Sequence, residues 1–182
     1  WESKNLVIGW NNNFKNLFIV AYSINIKMSL QIGQQAPDFQ LYDTEKNLVT
    51  LSELKGHNVV LLFFPFAFTG VCTAEMCSVR DDMSTYEGLD AHVFGISVDS
   101  LHSLKRFKAD QNLNFSLLSD FNKVASNAYE TIYEVFAQGT LGVSKRSAFV
   151  IDKEGIIRYV EVLENAGEVP NLAAVKAVLA EI

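Results

Sequence analysis

From residue 58 the chain runs NVVLLFF, an apolar stretch without the alternation of a half-exposed strand. Such a run predicts a central strand covered on both faces. HVFGISV at 92–98 predicts a second buried strand and FSLLSD a third. Between them the period changes. Met76, Val79, Met83 and Tyr86 recur at helical spacing within 73–87, and Leu101, Leu104 and Phe107 line one face of LHSLKRFKADQ. KVASNAYE is a further short helix, and NLAAVKAVLAEI after Pro170 is a closing amphipathic one. FQLYDTEKNLVTL turns around Asp43–Asn47 as a hairpin, and LSELKG makes a helical turn stopped by Gly56. SAFVID and IIRYVEVL flank Lys153-Glu154-Gly155 as a second hairpin. Strands alternating with helices, with hairpins added, predict an α/β domain whose sheet carries helices on both faces.

The pattern starts near Met28. The preceding WESKNLVIGWNNNFKNLFIVAYSINIK holds six asparagines, three lysines and one acid. Its charge of +2 within a net −6 leaves −8 for residues 28–182. We read residues 1–27 as an extension upstream of the domain at 28–182. A targeting segment and a partner-binding strand are the alternatives. Its apolar runs fall short of the ~20 residues that span a bilayer. The acidic balance, with no basic stripe, argues against nucleic acid as a partner. Two cysteines make no disulfide scaffold. The histidines at 57, 92 and 102 lack ligand spacing, so no metal site is expected.

Both cysteines lie in PFAFTGVCTAEMC, residues 65–77, between the first central strand and the helix that follows. In open α/β sheets the carboxyl ends of strands are where chemistry usually sits. Cys72 falls in or near the first helical turn, where unpaired N–H groups and the macrodipole favour an anion such as a thiolate. Thr69 offers a hydroxyl donor, Pro65 stiffens the loop, and Gly70 lets backbone approach a small ligand. Taken singly, each has a plainer role: a buried cysteine as a small hydrophobe, Thr69 as an N-cap, Gly70 as a turn. Arg80-Asp81 reads as a structural pair on the helix. Their joint occurrence is what suggests a nucleophile.

Pro65-x-x-x-Thr69-x-x-Cys72 resembles the signature of the peroxiredoxins, and IGQQAPDFQL, LSELKG, GISVDS, FSLLSD and SKRSAFVIDKEG are similar to that family's text. The likeness runs from about Ile32 to the last helix. PFAFTGVC is most like the AhpE-type subgroup, whereas a second cysteine five positions on resembles the bacterioferritin comigratory protein (PrxQ) subgroup. The resemblance implies a thioredoxin-like fold and reduction of hydrogen peroxide and organic hydroperoxides by Cys72. It adds Arg146, just before the FVID strand, as a fixed cation beside the thiol, because a guanidinium offers a fork of donors at any relevant pH. Lys145 next to it reads as solvated. Val71 and Cys72 would give backbone N–H groups to the peroxide. Glu75 either positions the arginine or compensates the helix dipole.

The resemblance also implies Cys77 as the resolving thiol, the alternative being a buried small residue in a one-cysteine enzyme. In a continuous helix the two Cα atoms would stand roughly 8.6 Å apart, beyond disulfide reach, so that bond requires the helix to unwind. No cofactor is expected, since sulfur supplies the electrons. A thioredoxin, glutaredoxin or similar thiol is the expected reductant. A homodimer through the Phe66 and Phe68 edge and a cytoplasmic location are expected too. The competing class is a thioredoxin-fold module for thiol–disulfide exchange or binding. It normally carries Cys-x-x-Cys, and the gap here is four residues.

Overall fold

A computed structural model describes residues 30–182, and the expectations about residues 1–27 lie outside the described residues. Seven strands form one mixed sheet: β1 (Gln40–Asp43), β2 (Leu48–Thr50), β3 (Asn58–Phe63), β4 (Ala91–Ser97), β5 (Ser116–Ser119), β6 (Ser147–Ile151) and β7 (Ile157–Val162). The spatial order is β2-β1-β5-β4-β3-β6-β7. The centre is parallel, β3 beside β4 and β4 beside β5; β6, β7, β1 and β2 join antiparallel. The helices are α1 (Gly70–Asp81), α2 (Met83–Gly88), α3 (Leu101–Asp110), α4 (Val124–Ala128) and α5 (Leu172–Leu179).

β3 is buried along its whole length, as its unbroken apolar run predicts. Its alternate side chains feed two cores. Val60 and Leu62, with Phe64 just beyond the strand, pack with Met76, Val79, Tyr86, Leu104 and Phe107 from α1, α2 and α3, and with Val175 and Leu179 of α5. Val59, Leu61 and Phe63 face the other way, against Phe39, Ala125 and Tyr129. There Tyr129 lies edge-on to Phe149 at 5.0 Å between ring centroids, and its hydroxyl donates to the Pro37 carbonyl at 2.9 Å. Helices thus cover both faces, as expected. Gly95 of β4 allows close approach from α1: a Cβ there would lie 2.6 Å from Leu117 Cδ2 and 3.2 Å from Met76 Sδ. The absent side chain therefore seats the helix that carries both cysteines.

One expected helix is two. The apolar period continues from Val79 to Met83 and Tyr86, yet the backbone breaks at Asp82 (φ −110°, ψ 12°). Asp82 accepts from the Thr85 hydroxyl at 2.7 Å and pairs with Lys176 of α5, so its carboxylate serves a turn rather than a helix interior. α1 also begins at Gly70, three residues earlier than the apolar spacing indicates.

Candidate active site

The loop from Phe64 to Thr69 leaves the carboxyl end of β3 and turns into α1. Asp99, past the end of β4, secures it by accepting from the Ala67 N–H and the Ser97 hydroxyl, both at 2.7 Å. Pro65 is buried in this turn, and Phe68 carries the unusual backbone (φ +63°). Gly70 does not: nothing lies within 4 Å of a Cβ placed there. The left-handed backbone of the turn sits at Phe68, and Gly70 borders open space at the helix end.

Thr69 stands at the N-cap with extended backbone but makes no side-chain cap. Its hydroxyl instead donates to the Phe66 carbonyl at 3.1 Å. The first i→i−4 bond of α1 runs from the Thr73 N–H to the Thr69 carbonyl at 2.9 Å. The amides of Gly70, Val71 and Cys72 thus belong to the open helix end, with the macrodipole behind them.

Cys72 is 1% exposed, and Arg146, equally buried, meets it from the start of β6, 74 residues away in sequence. One terminal guanidinium nitrogen donates to Cys72 Sγ at 3.2 Å, and the other donates to Glu75 Oε2. The Ala166 carbonyl accepts twice more, from Nε at 3.2 Å and from a terminal nitrogen at 3.0 Å. Of the two roles weighed for Glu75, the geometry matches the first: it is a fully buried partner of Arg146, one turn after Cys72. Lys145 is not solvated as expected. It is largely buried, paired with Glu164 and set 5.8 Å over the Tyr133 ring.

The sequence did not reveal Asp99 or the Ala166 carbonyl. Asp99 lies inside GISVDS, where an acid just past a strand gives a weak hint of a loop anchor. A backbone carbonyl leaves no mark in the sequence. Cys77 faces away from this group: its thiol donates to Gln111 Oε1 at 3.6 Å. Both thiols are free, and α1 is continuous between them. Arg80 bonds Asp81 at 2.7 Å, as expected, and also donates to the Gln111 carbonyl at 2.6 Å.

Burial works against charge at this centre, and pairing outweighs it for Arg146 but offsets it only in part for Glu75. Desolvation pushes Glu75 up to about 7 from an ordinary 4.5, although Arg146 offsets part of that rise. Its second oxygen has no hydrogen-bond partner among the described residues. Burial opposes the Arg146 charge, but Glu75 and Cys72 outweigh it and hold its pKa above the ordinary value. A carboxyl with a folded pKa above its unfolded one binds more protons when folded, so stability falls as pH rises from about 4.5 to about 7. Denaturant midpoints across that window should show this decline, and Glu75→Gln should flatten it. An unchanged slope in the variant would remove Glu75 as its source.

Residues 32–160 match the AhpC/TSA family. Alkyl hydroperoxide reductase E of Mycobacterium tuberculosis is 40% identical over 141 residues, covering 77% of this chain and 90% of that protein. Peroxiredoxin Bcp of Bacillus subtilis is 38% identical over 130 residues, 70% of this chain and 82% of that one. Among solved structures, peroxidoxin BcpB from Mycobacterium tuberculosis superposes with a TM-score of 0.74 at 28% identity, over 84% of this chain and 98% of that chain. The chain therefore belongs to the AhpC/TSA family of peroxiredoxins, and it is a thiol-dependent peroxidase with the thioredoxin-like fold. A bare thiol–disulfide exchange module is the weaker reading on both sequence and structure.

Proposed function

We infer that Cys72 is the peroxidatic thiol, acting on hydrogen peroxide and organic hydroperoxides, and that Cys77 resolves it within the same chain. The observation that carries the first assignment is the 3.2 Å contact between Arg146 and Cys72 Sγ at the open end of α1. A thiolate there attacks the terminal peroxide oxygen: an S–O bond forms, the O–O bond breaks, and the leaving oxygen departs as water or an alcohol once protonated. Cys72 becomes a sulfenic acid. Arg146 and the amides of Val71 and Cys72 stabilise charge on the leaving oxygen, the point at which preorganised donors contribute most. Thr69 takes a different part from that of a donor. Its own proton is given to Phe66, so Oγ1 is left to accept from the hydroperoxide O–H. Pro65 and Gly70 shape the loop, and Glu75 holds the guanidinium.

Resolution is supported by the presence of a second free thiol on the same helix and by the similarity to peroxiredoxin Bcp. A thioredoxin- or glutaredoxin-type thiol then reduces the disulfide. Phe68, 53% exposed and 5.2 Å from the Phe107 ring, and Phe66, edge-on to Phe136, provide an aromatic edge for a homodimer. No helix among the described residues is long and apolar enough to cross a membrane.

The test is Cys77→Ser, assayed by donor oxidation with hydrogen peroxide and thioredoxin. Turnover should fall by about tenfold or more, with sulfenic and sulfinic Cys72 accumulating. Undiminished turnover, with no intramolecular disulfide in the unaltered protein, would instead define a one-cysteine enzyme.

A further inference from the structure

The segment that must unwind for Cys77 to reach Cys72 is braced at both ends by one neighbouring element. At its start, Phe68 rests edge-on against Phe107 of α3, 5.2 Å between centroids. At its far end, the turn after α3 makes three polar contacts with α1. Gln111 Oε1 accepts from the Cys77 thiol at 3.6 Å, and the Gln111 carbonyl accepts from Arg80 at 2.6 Å. Asn114 Nδ2 donates to the Arg80 carbonyl at 3.2 Å. That last contact occupies a backbone group near the end of α1, where carbonyls otherwise lack partners.

We propose that α3 and its following turn splint α1, so that Gln111 and Asn114 are positioning residues that set how fast Cys77 is released to resolve oxidised Cys72. The proposal rests on Cys77 being the resolving thiol. In that step the Cys77 thiolate attacks Cys72 Sγ of the sulfenic acid. The S–S bond forms and the S–O bond breaks, and hydroxide leaves to be protonated to water. Cys77 sulfur is oxidised and Cys72 sulfur reduced by the same electron pair, so no outside oxidant enters. Before attack, Cys77 must give up the proton it donates to Gln111, and a thiolate facing that amide oxygen is repelled, while the Arg80 guanidinium beside the sulfur attracts it. Ionisation therefore breaks the Gln111 contact, and Arg80, held to the turn by the Gln111 carbonyl, must still be left behind as α1 unwinds. While the splint holds, sulfenic Cys72 waits beside Arg146, and a second hydroperoxide can take it to sulfinic acid. The bracing contacts thus divide each oxidised molecule between resolution and over-oxidation.

Gln111 is only partly buried and Asn114 is exposed, so substitution there spares the core. Gln111→Met keeps length and removes the acceptor; Asn114→Ala removes the second contact. Each variant and the unaltered protein would be mixed with hydrogen peroxide in a quenched-flow instrument, blocked at intervals and weighed by mass spectrometry. Disulfide formation should accelerate about fivefold in each single variant, the effect of one net hydrogen bond. The sulfinic fraction at excess peroxide should fall in parallel. The first step, peroxide with Cys72, should stay within about twofold, which a general loosening of the active site would not allow. Unchanged disulfide rates in both variants, with the unaltered protein still forming the bond, would overturn the splint and leave Cys77 as resolver. Absence of the bond in the unaltered protein would overturn both.

Discussion

Cys72→Ser is expected to abolish peroxidase turnover, by at least about 10³-fold, while the protein stays folded. A serine hydroxyl is not ionised near neutral pH, and its oxygen has no accessible higher oxidation state to receive the peroxide oxygen. The fold should survive because the replacement is close in size and its hydroxyl can accept from the same Arg146 nitrogen that now meets Sγ. Circular dichroism and a denaturant midpoint should lie within about 1–2 kcal/mol of the unaltered protein. Turnover is read by oxidation of a coupled thiol donor. Activity near that of the unaltered protein would move the nucleophile to Cys77 and detach the chemistry from the Arg146–Glu75 pair.

Arg146→Ala should affect both rate and stability, and the two can be separated. Arg146 gives hydrogen bonds to Cys72, Glu75 and the Ala166 carbonyl, all within a buried site. Losing a preorganised donor at a developing oxyanion costs about 10²–10³-fold in rate. The loss should exceed any fall in thiolate fraction, followed by absorbance at 240 nm, because the guanidinium touches both nucleophile and substrate. Stability should fall as well, by about 3–5 kcal/mol, since breaking the buried pair leaves Glu75 without its hydrogen-bond partner and forces it to take up a proton. Adding Glu75→Gln to Arg146→Ala should recover part of that stability and none of the rate. If the double variant regained activity, Arg146 would serve the fold rather than the peroxide. Arg146→Lys should restore charge without the fork of donors, and its rate should remain low.

How far these groups could be foreseen follows from the kind of signal each one leaves. β3 was legible because NVVLLFF lacks alternation, and burial on both faces is what that means. The helical positions Met76, Val79, Met83 and Tyr86 were legible too, and all four are buried. The break between Val79 and Met83 was not, because aspartate is tolerated within helices and only Lys176 and Thr85, brought together by the fold, turn Asp82 into a stop. Cys72 stood out locally from strand end, loop and helix start. Arg146 did not, being 74 residues distant, and only the family resemblance put it beside the thiol. Thr69 was recognised as part of the site, yet the direction of its hydroxyl was set by Phe66, a carbonyl that no motif encodes. The contacts of Cys77 with Gln111, and the bracing of α1 by α3, depend on how two helices pack, and sequence spacing within either helix carries no trace of them.

Mass spectrometry of the reduced protein after one equivalent of hydrogen peroxide, without any donor, tests the central chemistry most directly. Cys72 as nucleophile and Cys77 as resolver predict a loss of about two mass units, and a cross-linked peptide joining Cys72 to Cys77. An unmodified protein, or oxygen added to Cys77 while Cys72 stays a thiol, would contradict it.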